Sequence, residues 1–125
     1  MIQRLALIAG WAALGFITFA TLSPIQDRPT LAGLKTEHFA AFAVTGFAFA
    51  LGLPRRTSGV LALTILSALV LESAQLLTPD RHGRLLDAAV KVRGGVCGIG
   101  SGRLALSWRQ LIELGTSSSA KRQQQ

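Results

Sequence analysis

Residues Leu5–Leu22 read LALIAGWAALGFITFATL, eighteen positions without a charge. At a rise of about 1.5 Å per residue, such a run extends about 27 Å as a helix, close to the roughly 30 Å hydrocarbon core of a bilayer. Arg4 precedes it and Ser23-Pro24 closes it, because proline disfavours helix at the residue before it. A cleaved leader is the rival reading. The run is longer than a usual leader core, and Thr18–Ser23 offers no clean small-x-small cleavage site. A retained membrane helix over about 5–22 is therefore expected.

Three further runs follow. Pro24, Pro29 and Gly33, with Asp27, Arg28 and Lys35, make residues 24–36 a loop. Thr36 is then a suitable N-cap for a helix over 37–53 that opens Glu37-His38-Phe39 and stops at Pro54-Arg55-Arg56. The run 60–77 is apolar except for Glu72, Ser73 and Gln75 near its far end, and Pro79–Arg84 forms a polar turn after it. The run 85–108 is the least apolar, with Asp87, Lys91 and Arg93 in its first half and then Gly94, Gly95, Gly98, Gly100 and Gly102. The Ser-rich tail, 111–125, is expected to be disordered on the cytoplasmic side. The fold class expected is all-α: a membrane protein, a bundle of about four transmembrane helices in a domain covering 1–110.

Composition supports this reading. Half of the 125 residues are apolar, 15% are charged, and the mean hydropathy is +0.44. A soluble domain carries about 25% charged residues to cover its surface. The net charge of +7 raises nucleic acid as a partner, but the thirteen Lys and Arg stand singly or in pairs between apolar runs, and there is no Tyr. Basic residues so placed are what membrane orientation requires, and no nucleic acid is expected. With both termini cytoplasmic, that side holds Arg4, Arg55, Arg56, Arg103, Arg109, Lys121 and Arg122, against Arg28, Lys35, Arg81 and Arg84 opposite. The excess sets the expected orientation: a multi-pass protein of the cell membrane with both termini cytoplasmic.

Under that topology the polar residues within the spans gather towards one side. Glu72 lies six residues, about 9 Å, before the external end of the third helix, and Lys91 lies the same depth into the fourth. Either charge alone at such depth is costly, so the two are expected to pair. Gln75 is one turn from Glu72, and Asp87 is four residues from Lys91. Glu37, His38, Glu72, Gln75, Arg81, Asp87 and Lys91 thus form a candidate polar pocket in the outer leaflet. The plainer alternative is that the pair only glues helices together or fixes their register, with Glu37 assisting a helix N-terminus. No metal-ligand pattern is complete, no nucleophile–base spacing is visible, and no cofactor is expected. The single Cys97 excludes an internal disulfide and reads as a small packing residue. Gly94, Gly98 and Gly102 fall four apart and line one helix face, which permits close approach of another helix, in this chain or in an oligomer.

The chain resembles the VanZ-like family of small membrane proteins. The matching segments are Leu22-Ser23-Pro24, Glu37-His38-Phe39-Ala40-Ala41-Phe42, Glu72-Ser73-Ala74-Gln75, Thr78-Pro79-Asp80-Arg81 and Asp87-Ala88-Ala89-Val90-Lys91, followed by Gly94, Gly95 and Gly98. They span residues 22–98 in the family's order. Lys91 is a departure, standing where the family often has Asn. The resemblance implies a multi-helix integral membrane protein of the cell envelope and an association with teicoplanin resistance, without an established biochemical activity.

Three functional expectations follow. The first is a non-catalytic pocket for a membrane lipid or a lipid-linked envelope precursor, since Arg81, Arg84 and Lys91 can meet phosphate oxygens. The second is a structural subunit or scaffold packing through the glycine face. The third is an intramembrane enzyme with His38 or Glu72 as general base.

Overall fold

The computed structural model describes residues 1–23, 34–77 and 85–122. They form four α-helices: α1, Ile2–Leu22; α2, Leu34–Gly52; α3, Thr57–Leu76; and α4, Leu85–Arg122. No strand occurs among the described residues, so the all-helical class expected from the sequence is the one observed.

Two of these helices, α1 and α3, are long and apolar enough to cross a membrane. Only 17% of the apolar window in α1 and 33% of that in α3 is buried within the chain, whereas the core helix of a soluble domain is mostly buried. Ile8, Phe16 and Phe19 point outward from α1, and Leu66, Leu69 and Val70 from α3. Side chains of that size cost about 1.5–3 kcal/mol each when left in water rather than an apolar medium. The outer surface of the bundle is therefore suited to an apolar surrounding.

Contacts between helices define the topology. Leu7 of α1 lies against Gly52 of α2, and Gly10 against Phe49, so α1 and α2 run antiparallel. Glu72 of α3 meets Lys91 of α4, while Thr64 meets Gly95, so those two are antiparallel as well. Gly94, Gly98 and Gly102 of α4 step along Phe39, Ala43 and Phe47 of α2 in the same direction. These two helices are parallel and pack more extensively than any other pair. The chain therefore runs up, down, up, down, with the turn at 53–56 at the same end as the N-terminus.

The parallel seam explains the glycine spacing. A Cβ on Gly94 would collide with the Phe39 carbonyl, one on Gly98 with the Ala43 carbonyl, and one on Gly102 would come within 2.8 Å of the Ala50 side chain. The face expected to meet another helix is thus occupied by α2 of this chain, and all three glycines are buried. Within this chain, the helix that approaches the glycine face is α2. Two apolar clusters complete the interior. Phe49, Ala50, Val60 and Ile99 form one, and Trp11 meets the Phe49 ring edge-on at 5.3 Å. Ile17, Phe42, Ala68 and Leu71 form the other.

Hydroxyl groups are satisfied within their own helices. Thr18, Thr45, Thr64, Ser73 and Ser101 each donate to the carbonyl four residues back, at 2.8–2.9 Å. A polar group bonded in this way needs no water, which suits helices whose outer faces are apolar.

Helix starts or ends differ from the sequence expectation in all four helices, the first beginning at Ile2 rather than Leu5. α2 begins at Leu34, so Thr36 lies inside its first turn rather than capping it; Glu37 keeps its place near the positive end of the helix. α3 begins at Thr57 rather than Val60. α4 does not stop near Trp108 but continues to Arg122, through most of the tail expected to be disordered. Its continuation follows from Arg103–Leu114, which holds no proline and several good helix formers. Beyond it, the hydroxyls of Thr116, Ser117 and Ser118 fold back onto carbonyls three or four residues earlier. Serine and threonine then continue the helix instead of breaking it.

Candidate functional site

At the end of the bundle opposite the 53–56 turn, each helix contributes polar side chains at about one level. Lys91 of α4 is completely buried, and its Nζ donates a 2.7 Å hydrogen bond to Oε2 of Glu72 on α3, whose side chain is 7% exposed. The equal depths counted along the third and fourth helices thus correspond to a direct ion pair. Alternation along α3 supports it: Ala68, Leu71, Glu72 and Gln75 are all buried, one helical face turned inward. Ala68 and Leu71 belong to the cluster with Ile17 and Phe42, and Val92, next to Lys91, packs against it. The pair therefore sits at the edge of an apolar core.

The other expected residues are distributed around this pair. Gln75 is buried one turn further towards the end of α3. Asp87 is half-buried, one turn before Lys91, in the first turn of α4, where a carboxylate faces the positive helix end. Glu37 and His38 are half-buried near the start of α2, and Nδ1 of His38 is itself buried. The seam of α2 with α4 places Phe39 beside Gly94, which brings Glu37 and His38 to the depth of Lys91. Arg81 and Arg84 lie outside the described residues.

One contributor was not anticipated. Thr21 of α1 is 2% exposed, and the antiparallel register that pairs Leu7 with Gly52 and Gly10 with Phe49 continues to Thr21 opposite His38. Counting back from the expected helix end at Ser23 would have placed it in the same layer. Its hydroxyl reads as unremarkable within an apolar run, so composition gave no signal.

Comparisons with family models, with curated proteins and with solved structures each return no match. The chemistry must therefore be argued from the layer itself. Its described acids are Glu37, Glu72 and Asp87; its bases are Lys91 and, when protonated, His38. Glu72 and Lys91 neutralise one another, with the half-buried carboxylate of Asp87 one turn before Lys91 on α4. No group of three or more His, Cys, Asp or Glu side chains converges as a metal site among the described residues.

Proposed function

We propose that this chain is a multi-pass protein of the cell membrane, a bundle of about four transmembrane helices. Its polar layer binds the head group of a membrane lipid or of a lipid-linked envelope precursor. The observation that carries the reading is the wholly buried Lys91 held by Glu72, with Gln75, Asp87, Glu37 and His38 at matching depth on three helices. Charged groups inside apolar bundles are costly and are retained mainly where they meet one another or a ligand. Here an ion pair, a buried Gln75 and a half-buried Asp87 share one level of the bundle, which supports reading the layer as a place where a polar head group can be met. Arg81 and Arg84 follow in the sequence and can add phosphate-binding donors. An ammonium and a phosphate on one head group would match acids and bases at a single end of the bundle.

Orientation follows from charge. The end with the N-terminus and the 53–56 turn carries Arg4, Arg55, Arg56 and Arg103 and no acid among these positions, so it is assigned to the cytoplasm and the polar layer to the outer leaflet. The resemblance to the VanZ-like family agrees with this architecture and extends the proposal to an envelope role, with glycopeptide resistance as the associated phenotype to examine.

The test is lipid binding by purified, delipidated protein, read by native mass spectrometry with phosphatidylethanolamine and phosphatidylglycerol as probes. Asp87→Asn and the double variant Arg81→Gln/Arg84→Gln are expected to weaken binding about tenfold or more while melting at the unaltered temperature. Unchanged binding in both would sink the reading.

A second reading is favoured by the closure of the pair itself. A 2.7 Å contact with both partners buried can hold α3 and α4 in register without any ligand. Under this reading charge reversal at both positions restores stability, and the neighbouring carboxylates can be neutralised without consequence.

A further inference from the structure

The Arg103 guanidinium donates a 2.7 Å hydrogen bond to the Pro54 carbonyl in the turn between α2 and α3. That contact marks the level at which α4 leaves the bundle. α4 then continues to Arg122, nineteen residues or about 28 Å further. Every residue from Ser107 to Ser118 is exposed. Among them stand large apolar side chains, with Leu104 61%, Trp108 63%, Leu111 66% and Ile112 61% exposed. A lone helix of this length is marginal in water and gains its stability from covering an apolar face.

The pattern of that face identifies what covers it. Leu104, Trp108 and Leu111 are spaced four and three apart, the spacing of a coiled-coil seam. Extended backwards, the same seam passes through Ser101 and Cys97, both exposed and small, alongside Gly100, around which a Cβ would meet nothing. It is continuous from the bundle into the extension, and its bundle half is built for close helix approach. The flanking positions Ala105, Ser107, Ile112 and Leu114 carry no charge, while Arg103, Arg109 and Glu113 lie away from the seam. Arg109 and Glu113 approach each other at 4.0 Å along their own helix. Two parallel copies of α4 therefore bring no like charges face to face. Laying the extension flat on a lipid surface instead requires a sharp bend just beyond Arg103, yet α4 is one unbroken helix without proline.

We propose that two copies of this chain associate in parallel along α4, through the seam Cys97–Ser101–Leu104–Trp108–Leu111. This face lies apart from the glycine face that packs on α2, and the dimer stands or falls independently of any ligand in the polar layer.

Single cysteines placed along Leu104–Leu114 in a Cys97→Ser background test it in native membranes with a short bis-maleimide. Dimer cross-linking is expected at 104, 108 and 111, and to be at least fivefold weaker at 106, 110 and 113. The unaltered chain should cross-link through Cys97, its single cysteine. Leu111→Arg should give monomers of unchanged helical content by native mass spectrometry in bicelles. A monomeric unaltered protein, or cross-linking without that periodicity, overturns the dimer. So does strong quenching of Trp108 by brominated lipid in a Trp11→Phe variant, which would place the extension on the membrane surface.

Discussion

Lys91 reaches Glu72 across the α3–α4 interface at 2.7 Å from a side chain with no exposure at all. An ammonium so placed has one strong acceptor, and its desolvation is offset only while that acceptor is ionised and in position. Glu72→Gln and Lys91→Gln are each expected to lower stability by about 3–5 kcal/mol, because each leaves its partner buried and uncompensated. Detergent thermal melts of Glu72→Lys, Lys91→Glu and the double reversal decide the pair's role. Recovery in the double reversal assigns the pair to helix register alone; loss in the singles without recovery in the double reversal means that surroundings beyond the pair, such as a bound head group, require the native placement of each charge.

Gly98 and Gly100 are two residues apart and should respond in opposite ways to alanine. At Gly98 the added carbon runs into the Ala43 backbone, which cannot swing aside as a flexible side chain can. A loss of about 1–3 kcal/mol or more is expected, with lower abundance in membranes. At Gly100 the carbon meets open space, and the higher helix propensity of alanine should be neutral or favourable by up to about 1 kcal/mol. Equal melting temperatures for the two variants would contradict the seam described between α2 and α4.

Phe49 and Phe16 supply the equivalent contrast for aromatic side chains. Phe49 is 1% exposed, packed under Gly10 and against Trp11, whereas Phe16 points outward from α1. Phe49→Ala should cost about 3 kcal/mol or more through the cavity it leaves. Phe16→Ala should change stability in bicelles little, since most of its side chain already faces outward. A large effect at Phe16 would show that its face is buried against another protein.

Exposed positions at the two ends of the bundle test the proposed crossings. Lys35 and Ser58 are both exposed, at the starts of α2 and α3. In a Cys97→Ser background, Lys35→Cys should react with an impermeant maleimide on intact cells, and Ser58→Cys only after permeabilisation. The reverse pattern would invert the orientation, and reaction of both on intact cells would remove α2 as a crossing.

Much of this architecture can be reasoned from residue types. The charge-free run at Leu5–Leu22 and the proline turns separate the helices, and depth counting brings Glu72 to Lys91, because a buried charge needs a partner of opposite sign. The glycine spacing shows that α4 has a close-packing face, but periodicity names a face and never its occupant. That α2 fills it depends on Phe39, Ala43 and Phe47 arriving at the right heights, which only the assembled chain displays. The end of α4 was unreadable for a different reason. Serines 117 and 118 resemble a disordered tail by composition, and only their back-bonding to helix carbonyls shows that they prolong it. Thr21 was missed because one hydroxyl does not interrupt an apolar run.

Backbone contact without intervening side chains joins α2 to α4 at Gly94 and Gly98, and at Gly102 only the small Ala50 side chain comes closer than the Phe47 carbonyl. Interleaved side chains can trade rotamers and let two helices slide, whereas a carbonyl lodged against a glycine has no such freedom. The two helices consequently behave as a single lever, and any rearrangement of this protein must come from α1 or α3 shifting against it. α3 is held to that lever both by the Glu72–Lys91 ion pair and by Val60, Ala68 and Leu71 in the two apolar clusters, so it shifts only when charge contact and packing give way together.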